Sequence, residues 1–480
     1  MSLFHNFIDE AGAAARSFAD YLAGGALRLG VTGLSRAGKT VFITALINNL
    51  VAGVRLPVLS ASAEGRIARA RLEPQPDDAV PRFAYEDHLA ALSGQERRWP
   101  ESTRRISELR VTIEFERAHG WGRRASTLTL DIVDYPGEWL LDLPLLDKSY
   151  AQWSRETFEA SNMPARRPLA ADWLAFAGAL DPSAAAEEDE ARKSAALFTA
   201  YLRKAREATY ALSTLPPGRF LMPGDLEGSP ALTFAPLRVE TGEAYSPHSL
   251  AAMMERRYES YKSHVARPFF RDHFARLDRQ IVLIDALSAL NSGPAAVRDL
   301  EHALFDVLRA FRAGRASLLS TIFRPRIDRI LFAATKADHL HHASHDRLEN
   351  ILRFLTAKAI ARAEGLGAAI DVIALAAIRA TREAKIRQSG ETLDAIIGTP
   401  ERGERLGGEI FDGVSEAAIF PGQLPDNPAA VFDGDAIGRS EAESDWRFLR
   451  FRPPKVAFGE APPHIRLDRA LQFLIGDRLA

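Results

Sequence analysis

The chain has 480 residues, 46 % of them hydrophobic and 26 % charged, with a net charge of −2. That is ordinary globular material, too long for one small core, with no electrostatic reason to expect nucleic acid. There are no cysteines, which excludes disulfides and thiolate-bound metals and makes a reducing compartment, the cytoplasm, the natural setting.

Residues 1–26 place Phe4, Phe7, Ile8, Ala11, Ala15, Phe18 and Leu22 at helical spacing. Such a face could lie on a membrane, but its polar side carries Asp9, Glu10, Asp20 and a single Arg16. An anionic bilayer attracts a basic face, so packing against the body of the protein is favoured. No apolar run reaches the roughly eighteen residues of a membrane span, and the start lacks a basic segment followed by an apolar one.

Leu27–Thr32 reads as a short strand and Val41–Leu50 as a helix. Between them, Gly33-Leu34-Ser35-Arg36-Ala37-Gly38-Lys39-Thr40 fits G-x-x-x-x-G-K-[ST], the phosphate-binding loop. Its backbone N–H groups, from Gly33, Ser35, Arg36, Ala37, Gly38 and on to Val41, are expected to wrap a nucleotide's phosphates at the helix N-terminus. Lys39 is expected to reach the β/γ oxygens and Thr40 to sit on Mg²⁺.

Residues 51–105 read as a long polar connection with a short helix near Phe83–Leu92. Glu108–Glu116 and Ser126–Val133, separated by a Gly-rich turn, form a predicted hairpin. Its second strand runs into Asp134-Tyr135-Pro136-Gly137-Glu138. There a nucleotide hydrolase keeps a second magnesium group: Asp134 for Mg²⁺, through water, and the Gly137 N–H for the γ-phosphate. A plain strand-end turn is the bland alternative. Thr103, just before the hairpin, stands where a switch threonine senses Mg²⁺ and γ-phosphate, with Ser102 adjacent.

From Leu140 to about Asp278 the pattern is helical, rich in Ala, Leu and Arg, with an acidic run at 187–190 and an irregular Pro/Gly-rich stretch at 214–246. A helix resumes at Ser249, with a kink expected at Pro268. The α/β pattern then returns: strands Gln280–Asp285, Asp328–Thr335 and Ile370–Leu375, helices Ala295–Arg312 and His345–Ala363. The last hundred residues carry strand-like pieces at Glu409–Phe411 and Trp446–Phe451 and a closing helix at Ile465–Leu479.

Thr335-Lys336-Ala337-Asp338 follows a strand. A carboxylate there can accept from guanine N1–H and the 2-amino group, which adenine cannot supply, and leaving it unpaired would cost about 1–3 kcal/mol. The Lys336 stem could cover the base. Ala376-Ala377-Ile378, after the last core strand, could offer backbone N–H groups to the guanine oxygen. If Asp338 were only a surface residue, an ATPase would be the reading instead.

This motif set resembles the translation-factor-related class of GTPases, and the whole arrangement looks most like the YcjX-like family of bacterial P-loop GTPases. The resemblance is carried by residues 33–40, Arg98-Trp99-Pro100-Glu101-Ser102-Thr103, Asp131–Leu140 and 335–338. It implies a GTP-binding core interrupted by a helical insertion. It also implies an association with bacterial envelope stress and with a membrane-protein partner, hence a place at the inner membrane's cytoplasmic surface. Two departures stand out. Glu138 occupies the position where many GTPases carry a water-orienting Gln, and Thr335 replaces the more frequent Asn that braces the phosphate loop.

The expected fold class is α/β: a P-loop NTPase with a mostly parallel sheet, a large helical insertion after the second magnesium motif and a small C-terminal extension. The expected division is an N-terminal helix (1–26), a GTP-binding domain (27–139 and 279–385), the insertion (140–278) and the extension (386–480). The expected chemistry is slow hydrolysis of GTP to GDP with Mg²⁺ held by Thr40, Thr103 and Asp134, and with Lys39, Arg36, Glu138 and Thr103 as catalytic groups. Arg36, two residues before Gly38, could stabilise the γ-phosphoryl in cis, including in a nucleotide-dependent dimer, or pair with a surface carboxylate. The competing class is a scaffold that binds GTP or GDP without useful turnover.

Overall fold

The computed structural model describes residues 26–480 except 35, 95, 102, 119–124, 241, 311–326, 366, 389, 434–445, 447 and 457–459. The N-terminal helix expected over 1–26, and with it Ser35 and Ser102, therefore lies outside the described residues, apart from Ala26.

Among the described residues, seven strands form one sheet in the order β2-β3-β4-β1-β5-β6-β7. Five of them run parallel: β4 (Ala125–Asp134), β1 (Leu27–Gly33), β5 (Arg279–Ile284), β6 (Arg329–Ala334) and β7 (Ala369–Ala374). Parallel strands covered on both faces read as continuous apolar runs, and all six residues of β5 are buried. β3 (Ser107–Glu116) pairs antiparallel with β4, giving the expected hairpin.

β2 (Ile67–Glu73) was not expected. It pairs antiparallel with β3 at the edge of the sheet, in the stretch that reads as a polar connection. Its Arg69 and Arg71 point to the Glu114 carboxylate of the neighbouring strand. Charges on alternate residues suit an exposed edge and hide the strand signal.

One face of the sheet is covered by α1 (Lys39–Val51) and by the C-terminal helix Leu467–Ile475, packed on Leu29, Val31, Leu109, Ile281, Leu331 and Ile373. The other face, with Val133, Val282, Phe332 and Val372, is covered by the helices Pro294–Ala310 and His345–Glu364 and by the helical segment after Asp134. That segment has an aromatic centre of its own, with Trp153 stacked on Tyr258 at 5.0 Å and Trp173 against Phe198 at 4.9 Å. The centre is continuous with the core of the sheet face. The acidic run at 187–190 starts the helix Glu188–Ala205, where carboxylates meet the positive end of the dipole. Ser249 caps the next helix, Leu250–Tyr261, and the kink near Pro268 takes the form of a π-turn over Lys262–Ala266.

Past β7, the strands β8 (Arg382–Gln388), β9 (Glu391–Gly398) and β10 (Ala417–Ile419) make a small antiparallel sheet. Ile396, Ile419, Leu449 and Phe451 form its core. β8 crosses residue 385, where the end of the core was expected, because its alternation of charged and apolar residues is another half-exposed strand. This is the α/β fold of a P-loop NTPase, with a helical insertion after Asp134-Tyr135-Pro136-Gly137 and a small C-terminal extension. Among the described residues, no helix is long and apolar enough to cross a membrane.

Candidate nucleotide site

The carboxyl ends of the five parallel strands lie at one edge, because Gly33 is level with Leu283, Ile284 with Ala334 and Ala334 with Ala374. In open α/β sheets ligands bind in the crevice outside these ends. The loop between β1 and α1 turns there with Arg36 at φ 62° and Gly38 at φ 81°. A side chain at Gly33 would meet the Leu283 carbonyl at 2.6 Å, so only glycine lets the loop pass that close to β5. Gly38 is the N-cap of α1 and no side chain caps it, so the first N–H groups of the helix face the loop's concavity. Lys39 is buried, and its Nζ donates to the Gly33 carbonyl at 3.0 Å. Ala37 and Thr40 are buried beside it, and Val41 is half-buried.

Three of the predicted metal-binding residues come together here although they are far apart in the chain. The hydroxyls of Thr40 and Thr103 lie 3.2 Å apart, and Thr103 donates to Asp134 Oδ2 at 2.6 Å. Asp134 ends β4 and is fully enclosed. Burial pushes its carboxyl up to about 6, against the opposing pull of the Lys39 charge and the Thr103 bond. Its second oxygen, Oδ1, is buried without a hydrogen-bond partner. Two hydroxyls and a carboxylate with an unsatisfied oxygen make a hard, oxygen-only donor set of the kind Mg²⁺ takes, directly or through its waters.

Gly137 follows at once. A Cβ there would meet the Gly33 carbonyl at 1.9 Å and Lys39 Nζ at 2.9 Å, so the segment after β4 lies directly on the phosphate loop. Glu138 is buried, and its carboxylate pairs with Arg206 at 2.9 Å. Arg206 belongs to the insertion, just past the helix Glu188–Ala205. More of the insertion grips the same segment. A Cβ on Gly218 would meet the Glu138 carbonyl at 1.7 Å, and the Gly218 N–H donates to Asp142 at 2.7 Å. The Trp139 indole donates to the Met222 carbonyl at 2.9 Å, and the Arg219 guanidinium lies 3.2 Å from the Trp139 ring centre.

Arg36 is exposed as a residue, but its side chain lines a small cleft with Leu34, Glu138, Arg206, Asp285 and Ser288. Partial burial of the guanidinium and, next, the nearby charge of Arg206 lower its pKa, while Asp285 and Glu138 oppose them.

At the other end of the crevice, Lys336 adopts φ 61° and its Nζ donates to Asp285 Oδ2 at 2.5 Å. Asp338 is buried. Its Oδ2 accepts the Ala380 N–H at 2.8 Å, and its own carbonyl accepts the Thr381 hydroxyl. Thr335 directs its hydroxyl to the Ile284 carbonyl at 3.3 Å. One expectation needs correcting. The Ala376 N–H is donated to the Ile465 carbonyl at 3.1 Å, as part of a two-way bridge, so it is not offered to a base. Ala377 and Ile378 stay as the candidate donors of that loop.

Sequence reading missed Arg206, Gly218 and Asp285. Arg206 and Gly218 carry no local signal, since they matter through contacts across the fold. Asp285 had one, being a carboxylate directly after a core strand.

A model of the YcjX-like family, DUF463, matches residues 27–479. A protein of Escherichia coli (strain K12) named Ras-like GTPase YcjX is 41 % identical over 465 residues, covering 94 % of this chain and 96 % of that protein. A protein of the same name from Shewanella oneidensis is 36 % identical over 481 residues, covering 94 % of each chain. By family model and by near full-length identity, the chain belongs to the YcjX-like family.

Proposed function

We propose that the protein binds GTP with Mg²⁺, hydrolyses it slowly to GDP, and uses the difference between the two states as a switch. The observation that carries this reading is the hydrogen-bonded Thr40–Thr103–Asp134 chain beside Lys39, with the buried Asp134 Oδ1 atom unsatisfied. The naming of two near full-length relatives as Ras-like GTPases supports it.

In this reading the N–H groups of residues 33–41 bind the phosphates, and Lys39 leaves the Gly33 carbonyl for the β/γ oxygens. Thr40, Thr103 and Asp134 hold the Mg²⁺. When bound, the ion neutralises charge that develops on the phosphoryl oxygens. The Gly137 N–H, already against the loop, reads the γ-phosphate. Asp338 accepts from the guanine edge, Lys336 covers the base, and the N–H groups of Ala377 and Ile378 face its oxygen. Glu138 orients the attacking water once its carboxylate leaves Arg206, and Arg36 stabilises the transferring phosphoryl. Residues 140–278 act as the module that transmits the nucleotide state, in a protein that works at the inner membrane under envelope stress with a membrane-protein partner.

A second reading, a GTP/GDP-dependent scaffold without useful turnover, is favoured by one observation: Glu138 is held in a buried ion pair. Phosphate release under single-turnover conditions decides between them. Hydrolysis of GTP that EDTA abolishes, and that falls with Thr40→Ala and Asp134→Asn, is expected. Stoichiometric GTP binding with no release would leave the scaffold. Equal affinity for ATP and GTP would overturn the guanine assignment.

A further inference from the structure

Immediately behind Asp338 the chain runs His339-Leu340-His341-His342-Ala343-Ser344-His345. The nucleotide reading uses none of these histidines. Two of them, His341 and His342, sit side by side with ring centres 4.3 Å apart, and both face the β8–β9 hairpin. Glu383 on β8 turns Oε1 to Arg379 at 3.2 Å and Oε2 to the imidazoles: 2.7 Å from His342 Nδ1 and 3.9 Å from His341 Nε2. Asp394 pairs in register with Lys385, two residues along β8 from Glu383, so both carboxylates project from the same face of the hairpin. Its Oδ2 lies 3.8 Å from His341 Nδ1.

The geometry points to a binding site for a borderline divalent cation, best matched by Zn²⁺, with His341 Nε2, His342 Nδ1 and Glu383 Oε2 as ligands and Asp394 as the carboxylate that orients His341. One ligand atom from each of these three side chains lies within 4.8 Å of the other two. Tetrahedral zinc with bonds of about 2.0–2.2 Å sets its ligand atoms roughly 3.4 Å apart. The two separations to Glu383 Oε2, 2.7 and 3.9 Å, fall on either side of that value, so side-chain adjustment would bring the three ligands onto one ion.

A metal-bound imidazole needs a proton on its other nitrogen and an acceptor for it, and a carboxylate lies 3.8 Å from His341 Nδ1. With Nε2 on the ion, Nδ1 would carry the proton and donate to Asp394 after a small approach from 3.8 Å. The cost is a long bond of 3.3 Å in which the Ala343 N–H now donates to Nδ1. Two imidazoles and one carboxylate suit zinc, cobalt or nickel and do not suit Mg²⁺, which takes oxygen. His341 is buried, Glu383 is half-buried and His342 is exposed, so one side of the site opens to solvent for entry and for a water as fourth ligand.

The consequence is a staple. The segment carrying His341 and His342 begins three residues after Asp338, and the strand carrying Glu383 follows Ala380 and Thr381, which already hold Asp338. A cation here ties both ends of the Asp338 support together.

The experiment uses the full chain without an affinity tag, stripped with chelator and titrated with Zn²⁺ against a chromophoric competitor, with Co²⁺ absorption as a second readout. One equivalent is expected to bind, with tetrahedral-type Co²⁺ bands. The exposed His342→Ala, which does not threaten the fold, and Glu383→Gln are expected to weaken Zn²⁺ binding at least tenfold, while His264→Ala leaves it unchanged. The proposal is overturned by a lack of stoichiometric uptake, by one equivalent that survives His341→Ala/His342→Ala, or by displacement of the zinc with excess Mg²⁺, which would place it beside Asp134.

Discussion

Gly218 is where the insertion presses on the segment that follows the phosphate sensor, and Gly218→Ala tests whether that pressure is structural. The added methyl group would fall 1.7 Å from the Glu138 carbonyl oxygen and 2.5 Å from its carbon. Both are backbone atoms, so no side chain can rotate away. Restoring an ordinary contact of about 3 Å or more requires the whole 218–226 segment to lift from residues 137–147. That lift stretches the Gly218–Asp142 bond of 2.7 Å, the Trp139–Met222 bond of 2.9 Å and the Arg219–Trp139 stack. Overpacking of this kind costs about 1–3 kcal/mol, and each buried hydrogen bond lost adds about 1 kcal/mol. A net loss of about 3 kcal/mol is expected, read as the urea midpoint. Hydrogen exchange should rise across residues 137–147 and 218–226. Gly178→Ala is the control, because nothing lies within 4 Å of a Cβ there and alanine suits that helix. Unchanged exchange in 137–147, with or without a loss of stability, would refute the clamp.

The parts of the site legible in the sequence are those fixed by short-range chemistry. The phosphate loop announced itself because a glycine pattern, an apolar strand and a helix start must coincide within about twenty residues. Asp134 stood out because it closes an apolar run that reads as a core strand, and Asp338 because it lies in a charged turn just after another. Long-range pairing left no such trace. β2 carries Arg69 and Arg71 on its outer side, and the charges masked its alternation. Ala376 lost its free N–H to Ile465, some ninety residues on, and nothing near Ala376 encodes that bridge. Arg206 looks like any surface arginine at a helix end until the fold brings it to Glu138. Fold class was thus readable, while the coupling of the insertion to the site was not.

Asp338→Asn is expected to weaken GTP binding at least tenfold and to favour xanthosine nucleotides, since the amide donates where the carboxylate could only accept; unchanged selectivity in competition binding would contradict the base assignment. Burial pushes the Asp142 carboxyl up to about 6, so the folded chain holds this proton more tightly than the unfolded chain. The stabilisation from the protonated form is complete below about pH 4 and is lost as pH rises through 6, so Asp142→Asn should raise the unfolding free energy from urea titration at pH 8 by up to about 3 kcal/mol and not at pH 4. A difference independent of pH would refute that account. The remaining prediction concerns Arg36. Its backbone sits at φ 62°, a conformation that costs a non-glycine residue on the order of 1 kcal/mol, at the mouth of the cleft shared with Glu138 and Arg206. Strain tolerated inside a phosphate loop points to a role for the side chain. The charge of Arg206 opposes a second guanidinium nearby, and an arriving γ-phosphate would relieve that opposition for both. Arg36→Ala is therefore expected to lower single-turnover hydrolysis by about 10³-fold with near-normal GTP affinity. Arg36→Gly should lose the same activity while keeping or raising stability, because glycine accepts this φ freely. If hydrolysis is unchanged in both variants, at concentrations that permit any dimer, Arg36 is a surface arginine and the transferring charge is met by another group.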